Sequence, residues 1–320
     1  MLKSLWSARQ YASVSSFWRP LDQRILNAAS SSNCRSLNDL VQNYFRNSGR
    51  ILDGSLLYES RPSASRKMNR EASTANTSDV VLVAHCVQDG DEHKVTVASG
   101  FALEAPSHRE GESLILSCAH TLEEIRRSPL MLKIGGGGTL AHHSSSISGR
   151  VNSGSFVISS EGDIYPINNI VSSLPRSDLM ILSCEKLPVA TLPISPYPVD
   201  AETPVMGHLV SYDQPEGPEW SPWVGGSWSK WVRGKVLGYR DFAGRETEPG
   251  TYDALSHLLF SPLPTPGSSG GPIIDEETGA VVGVMLGTRM DNRVEGIRGW
   301  GVPSETIFEM FSLPGLEGKK

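Results

Sequence analysis

Apolar residues fall along this chain in short runs, not in long helical faces. The stretch 79–87 (DVVLVAHCV) is apolar and β-branched, and 94–103 (KVTVASGFAL) opens with strand-like alternation. The run 113–117 (SLILS) predicts a third strand, ending at Cys118, Ala119 and His120. A short helical turn is expected next, then the apolar run 130–134, and further strands at 155–159 and 179–183. Between 187 and 204 stand Pro188, Pro193, Pro196, Pro198 and Pro204, which mark a connector between two halves. Beyond it, 205–212, 231–239, 258–261, 272–274 and 280–286 read as short strands separated by Gly, Pro, Asn or Asp. The good helix signal comes late. Ser304 can cap, Glu305 and Glu309 lie near the start, and Ile307, Met310 and Phe311 share a face. Many short strands with one terminal helix point to an all-β barrel or sandwich, and there is no repeat of solenoid period.

The N-terminus has another character. Up to residue 50 the cations are Lys3, Arg9, Arg19, Arg24, Arg35, Arg46 and Arg50, opposed by Asp22 and Asp39 alone. An Arg- and Ser-rich, acid-poor start without a continuous apolar centre reads as a mitochondrial transit peptide, for the matrix or the intermembrane space, with a disordered basic tail as the alternative. The expected organisation is a transit peptide over 1–50, a polar disordered linker over 51–78, a first folded half over 79–188, the connector over 189–204, a second half with the helix over 205–312, and a tail over 313–320.

The totals narrow the classes. The chain is 38% hydrophobic and 20% charged with a net charge of −6, so it carries no electrostatic footprint for nucleic acid. No run of about eighteen apolar residues predicts a membrane span. Of Cys34, Cys86, Cys118 and Cys184, the first falls in the expected leader. An odd number remains, which argues against a disulfide-framed domain and suits small buried thiols in a reducing compartment.

Candidate chemistry centres on Gly267-Ser268-Ser269-Gly270-Gly271-Pro272. A serine hydroxyl is a poor nucleophile unless a base takes its proton. The oxyanion it creates needs preorganised donors, which the backbone N–H groups of Gly267 and Ser269 would supply. The same residues fit G-x-S-x-G, but the nucleophile elbow of an α/β-hydrolase needs its histidine after the serine. All eight histidines precede Ser269. His120, at the exit of an apolar strand, is the expected base. His85 lies inside a strand as a core residue, His108 sits in a polar loop, and His142 and His143 belong to a polar insert where no second cluster supports a metal. Asp178, just before the apolar run Leu179-Met180-Ile181-Leu182, is the expected orienting carboxylate. Asp163 in a turn and Asp200 in the connector are rivals by residue type only. Trp220, Trp223, Trp228 and Trp231 crowd one loop, where they would either grip a peptide or pin the loop to the second half.

The order His, Asp, Ser and the string GSSGGP resemble the trypsin-like (chymotrypsin-fold) serine peptidases. The closer likeness is to the HtrA/DegP-type branch: Ser99-Gly100-Phe101, Ser117-Cys118-Ala119-His120, Ser177-Asp178-Leu179-Met180-Ile181-Leu182, 280–284 (AVVGV) and Gly301-Val302-Pro303-Ser304 are similar to its strand and site motifs. The likeness spans roughly 79–311 and lacks a PDZ module. It implies two packed six-stranded antiparallel barrels, with His120 and Asp178 from the first, Ser269 from the second and a cleft between them. It implies hydrolysis of peptide bonds through an acyl-enzyme, no cofactor and no metal, and peptides or unfolded proteins as partners; a homo-oligomer stays open. The acid that precedes the serine in digestive relatives is Ser268 here, so activation through that salt bridge does not carry over. The resemblance walls the substrate pocket with Leu263, Pro264 and Thr265, and with Met285, Leu286 and Gly287. No acid stands among them, so apolar side chains are expected there and not Lys or Arg. Two alternatives stay open: a silent peptide-binding pseudoprotease on the same fold, and an esterase using the same triad.

Overall fold

In the computed structural model the described residues are 19–31, 34–67, 79–105, 111–135, 151–252 and 254–315. His108, His142 and His143 lie outside them. The elements run α1 (Pro20–Ser31), α2 (Leu37–Arg46), β1 (Val81–Asp89), β2 (Glu92–Leu103), β3 (Glu112–Cys118), α3 (His120–Arg126), α4 (Pro129–Gly135), β4 (Asn152–Ile158), β5 (Ile164–Leu174) and β6 (Leu179–Glu185). There follow β7 (Pro204–Ser211), β8 (Ser221–Pro222), β9 (Trp228–Arg240), β10 (Glu246–Thr247), β11 (His257–Ser261), β12 (Pro272–Asp275), β13 (Val281–Asn292), β14 (Gly296–Pro303) and α5 (Glu305–Phe308).

Strands β1-β2-β3-β6-β5-β4 close into one antiparallel barrel. In the second half, β7 pairs with both β9 and β12, so β7-β9-β11-β14-β13-β12 also closes, with the two-residue strands β8 and β10 added on β9. The fold is therefore all-β, with two six-stranded antiparallel barrels and a short C-terminal helix.

Several strands are apolar on both faces, and the packing explains why. In β3, Ile115 points into the first barrel's core beside Val83, Val157 and Leu182. Its neighbours Leu114 and Leu116 point out and meet Val281, Val284 and Val302 of the second barrel. In β1, Val81, Val83 and Val87 face the core, while Leu82, Ala84 and Cys86 lie under Leu21, Ile25, Leu26 and Ala29 of α1. Each fully buried Leu or Ile contributes roughly 1.5–3 kcal/mol.

This last layer differs from the sequence reading. Residues 20–31 and 37–46, placed there inside a transit peptide, form two helices, with Leu37, Leu40 and Tyr44 of α2 buried as well. Ser36 caps α2 by accepting from the Asp39 N–H at 3.2 Å. The expected linker is also built down to residue 67. Asn47 Nδ2 donates to the Ile170 carbonyl, Leu52 N–H to the Met310 carbonyl, and Arg66 pairs with Glu59 and Glu104. Residues 68–78 lie outside the described ones. Basic residues and serines are scattered through the segment, but its apolar residues sit at helical spacing, and burying them is what orders it.

Three further expectations need correcting. The run 130–134 belongs to α4, not to a strand. Strands β5 and β14 were not foreseen. The first is largely polar (IYPINNIVSSL), and the second is broken by Gly296, Gly299 and Gly301. Gly301 is there for room, since a Cβ would stand 2.4 Å from the Val284 carbonyl oxygen. Ser304 does not cap α5; its hydroxyl donates to the Ser195 carbonyl on the connector at 2.6 Å.

Candidate active site

Neighbouring strands β3 and β6 bring the first pair together. Their register sets Cys118 opposite Leu179, so the residues just beyond, His120 and Asp178, meet at one end of the first barrel. A single 3-10 turn, Pro175–Ser177, leads into Asp178, which adopts a left-handed backbone (φ 58°) that Asp tolerates better than most residues. This turns the carboxylate back on the chain. Its Oδ1 accepts the backbone N–H of Ala119 (3.0 Å) and of His120 (2.7 Å), and its Oδ2 lies 2.6 Å from His120 Nδ1. The ring is thereby fixed with Nδ1 to the carboxylate and Nε2 outward, where the sulfur of buried Cys118 lies at 3.8 Å. Burial works against a charged His120. The Cys118 sulfur and the Asp178 carboxylate favour the cation more strongly, and the balance holds the imidazole well above its usual range.

The second barrel supplies Ser269, in the turn that leads into β12. Gly267 (φ 93°) and Gly270 (φ 84°) are left-handed. A Cβ on Gly270 would lie 2.2 Å from the Ser99 carbonyl oxygen and 2.8 Å from the Cys118 nitrogen, so the turn presses directly on the strands that carry His120. Ser99 locks it there. Its N–H donates to the Ser269 carbonyl (2.8 Å), its hydroxyl to the Gly267 carbonyl (2.8 Å), and its own carbonyl accepts from Ser117 Oγ (2.7 Å). Ser99 and Ser117 are site-supporting residues whose roles the sequence reading missed, although both stood in the quoted motifs. Among the described residues, the N–H groups of Gly267 and Ser269 have no protein acceptor, and the Ser269 hydroxyl donates to the Leu286 carbonyl (2.9 Å), not to His120.

Ser268 shows what replaces an acid at that position. Its buried hydroxyl accepts the Val210 N–H (2.9 Å) and donates to Thr265 Oγ1 (2.9 Å), which in turn donates to the Val210 carbonyl (2.6 Å). The closed circuit is uncharged.

The family follows from a sequence comparison read beside this geometry. The model of the trypsin-like peptidase domain matches residues 98–284, more than half of the chain and inclusive of His120, Asp178 and Ser269. The chain belongs to the trypsin-like peptidase domain family. Two solved structures of the Rv3671c protease of M. tuberculosis, both in an inactive form, are similar to it. One, a serine-to-alanine mutant, is 18% identical over 79% of this chain and 93% of that one (TM-score 0.41). The other is 16% identical over 79% and 95% (TM-score 0.42). No curated protein matches the chain.

The remaining expected site residues of this trypsin-like domain divide. Leu263 is exposed and Leu286 and Gly287 are half-buried beside the serine turn. Thr265 spends its hydroxyl on β7. Met285 is a correction: its side chain is fully buried in the second barrel's core with Val205 and Phe260, as strand alternation next to Leu286 requires, so it cannot line an open pocket. Trp223 and Trp231 pack edge-on against buried His208 (4.9 and 5.0 Å between centroids), and Lys230 stands over Trp220, which pins the aromatic loop to the barrel. His85 is a core residue whose Nδ1 meets Ser155 Oγ at 2.8 Å; burial pulls its pKa down to about 3. Asp163 closes a turn with Ser159. All four cysteines are free.

Proposed function

We propose that the chain is a serine endopeptidase in which Ser269 is the nucleophile, His120 the general base and Asp178 the group that orients it. What carries the reading is the lock between the barrels: the Ser269 turn is tied by Ser99 and Gly270 to the strand end that carries a His120 already paired with Asp178. Substrate entry releases Ser269 Oγ from the Leu286 carbonyl and a rotation about χ1 brings it to His120 Nε2. His120 takes the hydroxyl proton as Oγ attacks the scissile carbonyl, and the N–H groups of Gly267 and Ser269 receive the oxyanion. The imidazolium then gives its proton to the leaving amine. Water, deprotonated by the same ring, frees Ser269 from the acyl group. No cofactor enters these steps. With Leu263 exposed, Leu286 half-buried and no acid within residues 263–265 or 285–287, the site favours cleavage after apolar residues, which an unfolded or damaged protein exposes.

A second reading, peptide binding without cleavage, is favoured by one observation: the resting Ser269 hydroxyl is parked on Leu286. Incubation with an unfolded protein and with a matched peptide ester separates the readings. New C-termini at apolar residues support the endopeptidase. Ester turnover alone makes the protein an esterase, and saturable peptide binding without products supports the second reading.

A further inference from the structure

The end of β7 runs between α1 and the serine turn, and it touches both. Val210 holds Ser268 through the hydroxyl circuit. Tyr212, two residues on, lies against Gly267: a Cβ added to that glycine would stand 2.5 Å from Tyr212 Oη and 2.7 Å from a ring carbon. Both neighbours of the turn thus rest on one short segment. Helix α1 backs that segment. The Arg19 guanidinium stands over the Tyr212 ring, 5.0 Å from its centroid, and is held there by Asp22 at 2.9 Å. Leu21, Ile25 and Leu26 share one buried cluster with Val210, Val224, Tyr212 and Trp223. Helix α1 also lies before residue 98, where the family match begins.

We propose that α1 acts through Tyr212 to hold Gly267 in its left-handed conformation, which makes Tyr212 a positioning residue for the oxyanion donors. The proposal rests on the serine peptidase reading for its catalytic consequence, though not for its structural one. The contact works by shape. Tyr212 Oη is buried and has no hydrogen-bond partner among the described residues, so a phenyl ring fills the same place. Without the ring, Ser99 still holds the Gly267 carbonyl, but the Pro266–Gly267 peptide on the other side of that glycine is free to turn, and a donor aimed at the oxyanion is lost. Loss of one such donor costs roughly 100- to 1,000-fold in kcat.

The test compares Tyr212→Ala, Tyr212→Phe and Leu40→Ala, the last loosening α2 away from this contact, all below their unfolding temperatures. In Tyr212→Ala, kcat should fall roughly 100-fold with KM within about threefold, and binding of a peptidyl boronate should weaken in step. Tyr212→Phe and Leu40→Ala should keep kcat within about threefold. Hydrogen exchange of the 265–271 segment reads the turn directly, whether or not the protein turns over substrate. Faster exchange there in Tyr212→Ala, in a protein that hydrolyses nothing, would leave the positioning role standing and sink the peptidase reading instead. Unchanged exchange together with unchanged kcat in Tyr212→Ala would overturn the proposal, as would Tyr212→Phe losing as much as Tyr212→Ala.

Discussion

Asp178→Asn changes the triad by one atom, and the geometry dictates how. Oδ1 accepts two backbone N–H groups, from Ala119 at 3.0 Å and His120 at 2.7 Å. If the new amide kept its oxygen there, its NH2 would replace Oδ2 and face His120 Nδ1, now at 2.6 Å. The flipped amide would turn its NH2 on two backbone donors, and leaving each unmet costs about 1–3 kcal/mol. The first orientation therefore wins by roughly 2–6 kcal/mol. In it the amide donates to Nδ1, so the ring must carry its proton on Nε2. That nitrogen can no longer accept the Ser269 proton. Such a tautomer trap costs about 10,000-fold in kcat, equivalent to about 5.4 kcal/mol of barrier. The assay is the second-order rate of fluorophosphonate labelling at pH 7.5, with thermal unfolding measured in parallel. Labelling should drop by about 1,000- to 10,000-fold while the fold survives. A variant labelled within tenfold of the unmodified rate, and equally stable, would refute Asp178 as the orienting group.

Other expectations follow from neighbouring contacts. His120 is held above its ordinary value, so its contribution to stability is complete below about pH 6.5 and is lost as pH rises through the raised value. Its service as a base runs the other way, and labelling should climb through the same interval. Cys118→Ala removes one influence that raises His120 and should move the labelling profile to lower pH; an unmoved profile contradicts the contact. Gly270→Ala forces a Cβ onto the Ser99 carbonyl at a left-handed position and should abolish labelling and lower the unfolding temperature, as read by calorimetry. We propose that any mitochondrial leader ends before Arg19. Cleavage at residue 50 would strip away Leu21, Ile25, Leu26, Leu37, Leu40 and Tyr44, a loss comparable to the ~5–15 kcal/mol that holds a domain together. N-terminal sequencing of the imported protein should find a start at or before Arg19, and a start beyond residue 46 would contradict this.

The two-barrel fold and the residues that meet at the candidate site were legible in the sequence, but the helical layer over the first barrel was not. Ser269 stands in a glycine turn whose spacing has a chemical reason, and the position of every histidine before it left His120 as the expected base. The pairing of Asp178 with His120 was harder to foresee, because it depends on a left-handed turn and on the β3–β6 register, neither of which a local string reveals. Helices α1 and α2 were hidden by their setting: the first 50 residues carry seven cations against two acids, and that bias drew attention away from the apolar residues at helical spacing. One signal did exist. The run DVVLVAHCV is apolar on both faces of β1, and an outer face of Leu82, Ala84 and Cys86 calls for a cover, which α1 provides. Strand β14 escaped because its glycines usually argue against a strand, whereas Gly299 and Gly301 are there to let neighbouring backbones approach. Met285 was misplaced for want of the alternation that puts Leu286 toward the cleft and its neighbour into the core.

The central claim is that Ser269 is an activated nucleophile. The direct measurement is treatment of the purified protein with a fluorophosphonate, with the adduct located by mass spectrometry, beside Ser269→Ala and His120→Ala. One adduct per chain is expected, on Ser269, present in the unmodified protein and absent from both variants. An unmodified protein that stays unlabelled across the pH range in which His120 loses its proton, or that is labelled equally without His120, would contradict it.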